Sequence, residues 1–219
     1  MKLSSALMKT SRTNKIFLTI FIILLPILLI LFSYKLALLF TSLDDNQQLV
    51  MDFLNKPVEF EEQLVNITET FQTANGTYSI QAITEQEISH LNDVSKLMTK
   101  LEYFFLLSLI ICSLLYTQHR KNKYIKEKMI LYGGIASLAL TVIIVLFAAI
   151  SFNFSFNIFH QIFFPQGNWT FPLESFLITT FPIKFFTIMT IKIALISLLI
   201  GTTFTFLGYY NSMRKSKRP

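Results

Sequence analysis

The sequence predicts a membrane protein, mainly α, with four transmembrane helices and a small extracytoplasmic β-containing module between spans one and two. Three observations carry this. Of 219 residues 53% are hydrophobic and only 15% charged, too little polar surface for a soluble domain of this length. The apolar residues fall in four blocks, each long enough to cross a hydrocarbon core of ~30 Å. Thirteen of the 19 Lys and Arg lie at the N-terminus, after block two and in the tail, and the positive-inside rule makes that face cytoplasmic. Eleven of the 13 acids lie between Asp44 and Glu102, on the opposite face. The basic balance therefore reports topology and predicts no nucleic-acid partner.

Residues 1–15 form the cytoplasmic N-terminus, with Lys2, Lys9, Arg12 and Lys15. Span one covers 16–40 and is uncharged from Ile16 to Tyr34. Pro26 inside it predicts a kink. Its apolar run outlasts a signal-peptide core, and Tyr34-Lys35-Leu36 is a poor cleavage context, so an uncleaved anchor is expected. An extracytoplasmic module follows over 41–100, then span two over 101–118. The basic loop 119–128 holds Arg120, Lys121, Lys123, Lys126 and Lys128. Span three covers 129–151 without a charge. An extracytoplasmic loop, 152–182, leads to span four, 183–209, and a cytoplasmic tail, 210–219. Lys192 is the charge inside a span; it is either a functional group or a side chain snorkelling to the surface a turn away.

In the first outer segment Leu43, Val50, Phe53 and Leu54 recur at helical spacing until Lys56-Pro57. Alternating stretches between Val58 and Ile83, with Asn75-Gly76 as a hairpin turn, predict the β element. Thr84 then opens a helix with Glu87 completing a capping box. Ile88, Leu91, Val94, Met98 and Leu101 follow at spacings of three or four, so this helix should run into span two. The second outer segment has seven Phe and the only Trp between Phe152 and Phe171. Such aromatics settle at the membrane–water boundary, so this segment reads as an interfacial loop.

Few residues can carry chemistry. The single cysteine, Cys112, sits mid-span, which excludes a disulfide framework or thiolate pair. Nucleophile-elbow and phosphate-loop motifs are absent. His119 reads as a solvated residue of the basic loop. His90 and His160 share the outer face, some seventy residues apart, as either surface histidines or an acid–base pair. Asp93 lies three residues after His90 on the same helix face. It is either an ordinary surface partner or a carboxylate that fixes the imidazole tautomer. His90, Asp93 and His160 could also hold a metal, although no HExxH-type spacing supports this.

The run Glu87-Ile88-Ser89-His90-Leu91-Asn92-Asp93-Val94 resembles the E-x-x-H-x-x-D-V element of the bacterial lipoprotein intramolecular transacylases. Phe159-His160-Gln161-Ile162-Phe163-Phe164-Pro165 with Trp169-Thr170-Phe171 is similar to a second element, and Phe181-Pro182 with Phe185-Phe186 to a third. The resemblance extends along the whole chain in length, hydropathy and the outer placement of both histidines. It implies transfer of the sn-2 acyl chain of a diacylglyceryl lipoprotein to the α-amino group of its N-terminal Cys, giving a lyso-form lipoprotein. It further implies that His90 and His160 are catalytic, that membrane lipid surrounds the site, and that no cofactor is used. An acidic residue often follows the Trp-x-Phe element closely; here Pro172 does and Glu174 comes later, which leaves Glu174 without an orienting role. Four Asn-x-Ser/Thr sequons (Asn66, Asn75, Asn153, Asn168) carry no meaning in a bacterial chain.

That chemistry suits the residues. Amine and ester belong to one substrate, so positioning replaces the cost of a bimolecular encounter. The attacking amine must be neutral, and an α-amino group titrates near ~7.7–8.0, so a histidine base is useful. The expected roles are His90 as base, held by Asp93, with His160 serving the oxyanion or leaving group; the reverse assignment stays open. Eleven residues from His90 to Leu101 correspond to ~16 Å on a vertical helix, so the helix must tilt or the lipid must rise. Two alternatives are a metal-dependent membrane hydrolase and a non-enzymatic sensor or transport subunit.

Overall fold

The structure, a computed structural model, describes residues 12–55 and 83–216. Every regular element there is helical: α1 (Arg12–Leu39), α2 (Asp45–Asn55), α3 (Glu85–Gln118), α4 (Lys123–Ile150), α5 (Phe152–Phe163), α6 (Phe176–Thr180) and α7 (Ile183–Ser216). Four of them, α1, α3, α4 and α7, are long and apolar enough to cross a membrane. The mainly helical class and the four spans therefore stand. The β element expected around Asn75-Gly76 lies outside the described residues, and among the described residues no strand occurs, so the β-containing module gains no support.

The chain divides into two compact units. One takes in α1, α3 from Phe104, α4 up to Leu146 and α7 from Ile191. Its core joins Phe21, Leu25, Leu28 and Leu29 of α1 to Cys112 and Leu115 of α3 and to Ile125 and Met129 of α4. Large apolar side chains such as Leu195 and Leu199 are exposed on it, the expected face for lipid. Where α4 meets α7, small residues let the backbones approach. A Cβ on Gly134 would come within 2.6 Å of the Thr205 backbone nitrogen. Buried Thr141 and Ser197 hydroxyls bond at 2.8 Å. Pro26 is buried within α1, whose helix runs through it unbroken. Lys192 is half-buried on α7.

His119 departs from the sequence reading. It is not solvated but 6% exposed. Its Nδ1 lies 2.8 Å from the Leu115 carbonyl and its Nε2 3.3 Å from Asn14 Oδ1, and Phe17 packs edge-on at 5.8 Å. Charge density along the basic loop masked this: α4 already begins at Lys123, leaving a tight turn that folds the ring onto its own helix.

The other unit holds α2, α3 up to Tyr103, and Phe147–Thr190 with α5 and α6. The helix expected from Leu43 to Leu54 forms as α2. Its Val50 packs with Leu91 of α3 and Leu177 of α6, with Ile88, Phe171, Phe176 and Phe181 around them. The capping box at Thr84 forms as expected: the Glu87 carboxylate accepts the Thr84 N–H at 2.9 Å, and Thr84 Oγ1 accepts the Glu87 N–H at 3.3 Å. The segment expected as an aromatic loop contains α5 and α6. Ser151 caps α5, its side chain accepting the Phe154 N–H. Along α5 the i,i+4 spacing aligns Phe152, Phe156, His160 and Phe164 on one face, with ring centroids 6.3, 4.1 and 5.6 Å apart in turn. Burying that stripe outweighs the modest helix propensity of Phe.

Candidate active site

His90 stands one turn after Glu87, on the same face of α3. Glu87 is 1% exposed. Besides closing the capping box, it accepts the Leu177 N–H at 2.8 Å, which ties the start of α6 to the start of α3. The turn that precedes His90 is thereby fixed. His160 sits on the buried face of α5, and the chain after α5 folds back through Gly167, at φ +77°, to bring Asn168, Trp169 and Phe171 over the two imidazoles.

The two histidines, seventy positions apart in sequence, lie together with ring centroids 5.9 Å apart. His90 is 7% and His160 8% exposed. Phe164 at 4.8 Å and Phe171 at 5.7 Å cover His90. Phe156 at 4.1 Å and Trp169 at 5.0 Å cover His160, and Phe186 backs Phe156 at 5.2 Å. All three sequence elements therefore build one aromatic enclosure around the imidazole pair.

His160 Nδ1 lies 2.8 Å from the Phe156 carbonyl. A carbonyl only accepts, so Nδ1 carries the proton and Nε2 keeps its lone pair. Burial pushes the His160 imidazole below its ordinary range, partly offset by that backbone bond. Burial pushes His90 down to about 4, with the neighbouring His160 adding to the effect and Asn168 and Asp93 opposing it. His90 precedes the apolar stretch of α3, which is uncharged beyond Glu102. At neutral pH both rings are uncharged and able to accept a proton.

Asp93 is not the direct partner of His90 that the i,i+3 spacing allows. Its Oδ1 accepts from Lys96 at 3.2 Å, and its Oδ2 accepts from Gln166 at 2.6 Å and Asn168 at 2.9 Å. Partial burial works to raise the Asp93 carboxyl, but the bonds from Asn168, Lys96 and Gln166 prevail and hold it below its usual value. Sequence spacing finds residues on one helix and misses the donors that arrive from the segment after α5. Asn168 reads as a sequon in the sequence; its place beside Trp169 is the signal that it belongs to the site. Glu174 is exposed and takes no part. Among the described residues no three His, Cys, Asp or Glu side chains converge as a metal-binding group, so the metal-dependent alternative gains no support from them.

The profile of the family described as lipoprotein intramolecular transacylase Lit matches residues 12–186. No curated protein sequence matches significantly. Among solved structures, the chain is similar to the membrane integral lipoprotein intramolecular transacylase Lit from Bacillus cereus, with a TM-score of 0.68 at 18% identity over 94% of this chain and 99% of that one. Two single-histidine variants of the Bacillus cereus protein match as well. The arginine variant gives a TM-score of 0.64 at 17% identity over 93% of this chain and 94% of that one. The alanine variant gives 0.64 at 18% identity over 94% and 96%.

Proposed function

We propose that this chain, which belongs to the lipoprotein intramolecular transacylase family, an acyltransferase family, moves the sn-2 acyl chain of a diacylglyceryl lipoprotein to its own N-terminal amine by acid–base catalysis at His90 and His160. The observation that carries the reading is the buried imidazole pair, 5.9 Å apart, with the His160 proton fixed on Nδ1. The four apolar helices make it a multi-pass membrane protein, and the distribution of Lys and Arg supports an extracytoplasmic site.

In the reaction the neutral α-amine attacks the ester carbonyl carbon, forming the C–N bond. The tetrahedral adduct then sheds a proton from nitrogen and breaks its C–O bond to the glyceryl group. Nitrogen loses one proton and the glyceryl oxygen gains one, so the site must relay a proton without consuming it. His160 Nε2 is the better base, because the Phe156 carbonyl holds the proton on Nδ1 and partly offsets the lowering by burial. This reverses the order expected from the His90–Asp93 spacing. His90, with its imidazole pushed down to about 4, is a strong acid once protonated and suits delivery to the leaving oxygen. Positioned acid–base groups contribute ~10²–10⁴-fold. The aromatic cover also limits water, and hydrolysis is the reaction that competes with transfer.

Mass spectrometry of a lipoprotein N-terminus, from cells with and without this protein, tests the reading. The expected product carries an N-acyl group and one remaining glyceryl chain. A diacylglyceryl form that persists despite expression would contradict it.

A further inference from the structure

Two buried polar atoms at the site lack an ordinary hydrogen bond: His90 Nδ1 and Asn168 Oδ1. Their side chains are neighbours, since Asn168 is held by Ser89 and Asp93, one residue before and three after His90 on α3, and its amide favours the protonated imidazole. No hydrogen bond closes on either atom, yet each is the other's natural complement.

The orientation of the Asn168 amide follows from chemistry. Asp93 Oδ2, 2.9 Å away, can only accept, so the amide edge facing it is the NH₂ group. The same group lies 3.1 Å from Ser89 Oγ. With Nδ2 committed to two partners on α3, Oδ1 is the edge left for the imidazole. Gln166 and Lys96 hold the Asp93 carboxylate from its other sides at 2.6 and 3.2 Å. Asp93 therefore fixes the amide and not the ring.

We infer that Asn168 is a positioning residue, whose Oδ1 accepts the His90 Nδ1 proton and so leaves His90 Nε2 as the reactive nitrogen. Asp93 and Ser89 act through it by preventing an amide flip. The arrangement matches His160, where the Phe156 carbonyl does the same work from within α5. Both acceptors are neutral. A neutral acceptor fixes a tautomer with a smaller rise in basicity than a carboxylate would bring, so protonated His90 stays acidic enough to release its proton to a leaving oxygen. The inference rests on the proposed acid–base role of the histidines.

The test uses the full-length protein in nanodiscs, a diacylglyceryl lipopeptide as substrate, and ¹⁵N imidazole NMR to read tautomers. Wild type should show His90 protonated on Nδ1. Asn168→Ala should lose that preference and slow transfer by about 10²-fold, the scale of a small misplacement in a reacting site. The swap Asp93→Asn with Asn168→Asp restores a donor facing an acceptor; it should regain the Nδ1 proton and recover at least tenfold over Asn168→Ala. A proton on His90 Nε2 in wild type, an unchanged tautomer in Asn168→Ala, or a swap no faster than Asn168→Ala would overturn the inference. Should the His160 signal also move in Asn168→Ala, the swap alone decides. His90→Gln separates the two levels. Normal transfer in it sinks the catalytic reading, while the wild-type tautomer still judges the role of Asn168.

Discussion

Glu87→Ala removes a single buried carboxylate that closes the starts of both α3 and α6. Three donors lose their partner: the Thr84 N–H at 2.9 Å, the Thr84 hydroxyl at 2.8 Å and the Leu177 N–H at 2.8 Å. Thr84 is exposed, so water replaces the carboxylate there and the lost cap costs about 0.5–1 kcal/mol. Leu177 is different. It is 7% exposed, and its N–H is one of the orphan donors in the first turn of α6, where Ser175 offers no side-chain cap. An orphaned buried donor costs about 1–3 kcal/mol. At about 1.4 kcal/mol per tenfold, amide exchange at Leu177 should accelerate roughly 5–150-fold. Hydrogen–deuterium exchange of the purified protein, read on peptides covering Leu177, measures this. Glu87→Gln keeps one acceptor oxygen and should fall between. Glu85→Ala, exposed on the same turn, should leave exchange unchanged. Equal exchange at Leu177 in Glu87→Ala and wild type would refute the reasoning.

His119→Gln should lower thermal stability, because the ring is buried against Phe17, Leu115 and Asn14. Its transfer rate per folded molecule should match wild type, which a melting curve and a lipopeptide assay on the same sample can check. Gly134→Ala should destabilise by about 1–3 kcal/mol through overpacking, because the added methyl meets the Thr205 backbone nitrogen at 2.6 Å; an unchanged denaturation midpoint would contradict the close approach. Burial pushes His90 down to about 4 and lowers His160, so both titrate below the ordinary histidine value. The transfer rate should therefore rise with pH up to ~8, following the amine. An inflection near ~6.5 that disappears in His160→Gln would count against neutral imidazoles.

What the sequence showed depended on how far apart the relevant partners are. The four spans are local signals, each a continuous apolar run, and all appear as helices. The Thr84–Glu87 cap is equally local and forms as spaced. The pairing of His90 with His160 needed only that both lie on one face, which charge distribution supplied. Contacts between segments were not legible. Nothing local marks Glu87 as the acceptor for Leu177, ninety positions on, nor Asn168 as the partner of Asp93. The helical spacing of Asp93 pointed to His90 because proximity along α3 is all that spacing measures; Gln166 and Asn168 compete better for its oxygens. His119 shows the same limit, since a basic neighbourhood suggested solvent while the ring folded back on the Leu115 carbonyl. Aromatic density in 152–182 suggested an interfacial loop, yet its i,i+4 spacing already contained the stripe that becomes the covered face of α5.

The central claim is that transfer runs through the two imidazoles, and substituting each by a side chain that keeps polarity but cannot exchange a proton tests it most directly. His90→Gln and His160→Gln, expressed in a strain lacking the protein, should both reach the membrane and both leave the lipoprotein in its diacylglyceryl form by mass spectrometry. The expected loss is ~10²–10⁴-fold in transfer rate for each, with the double variant little worse than either single one because the pair acts as a unit. Near-normal lyso-form product from either single variant would contradict the two-histidine mechanism.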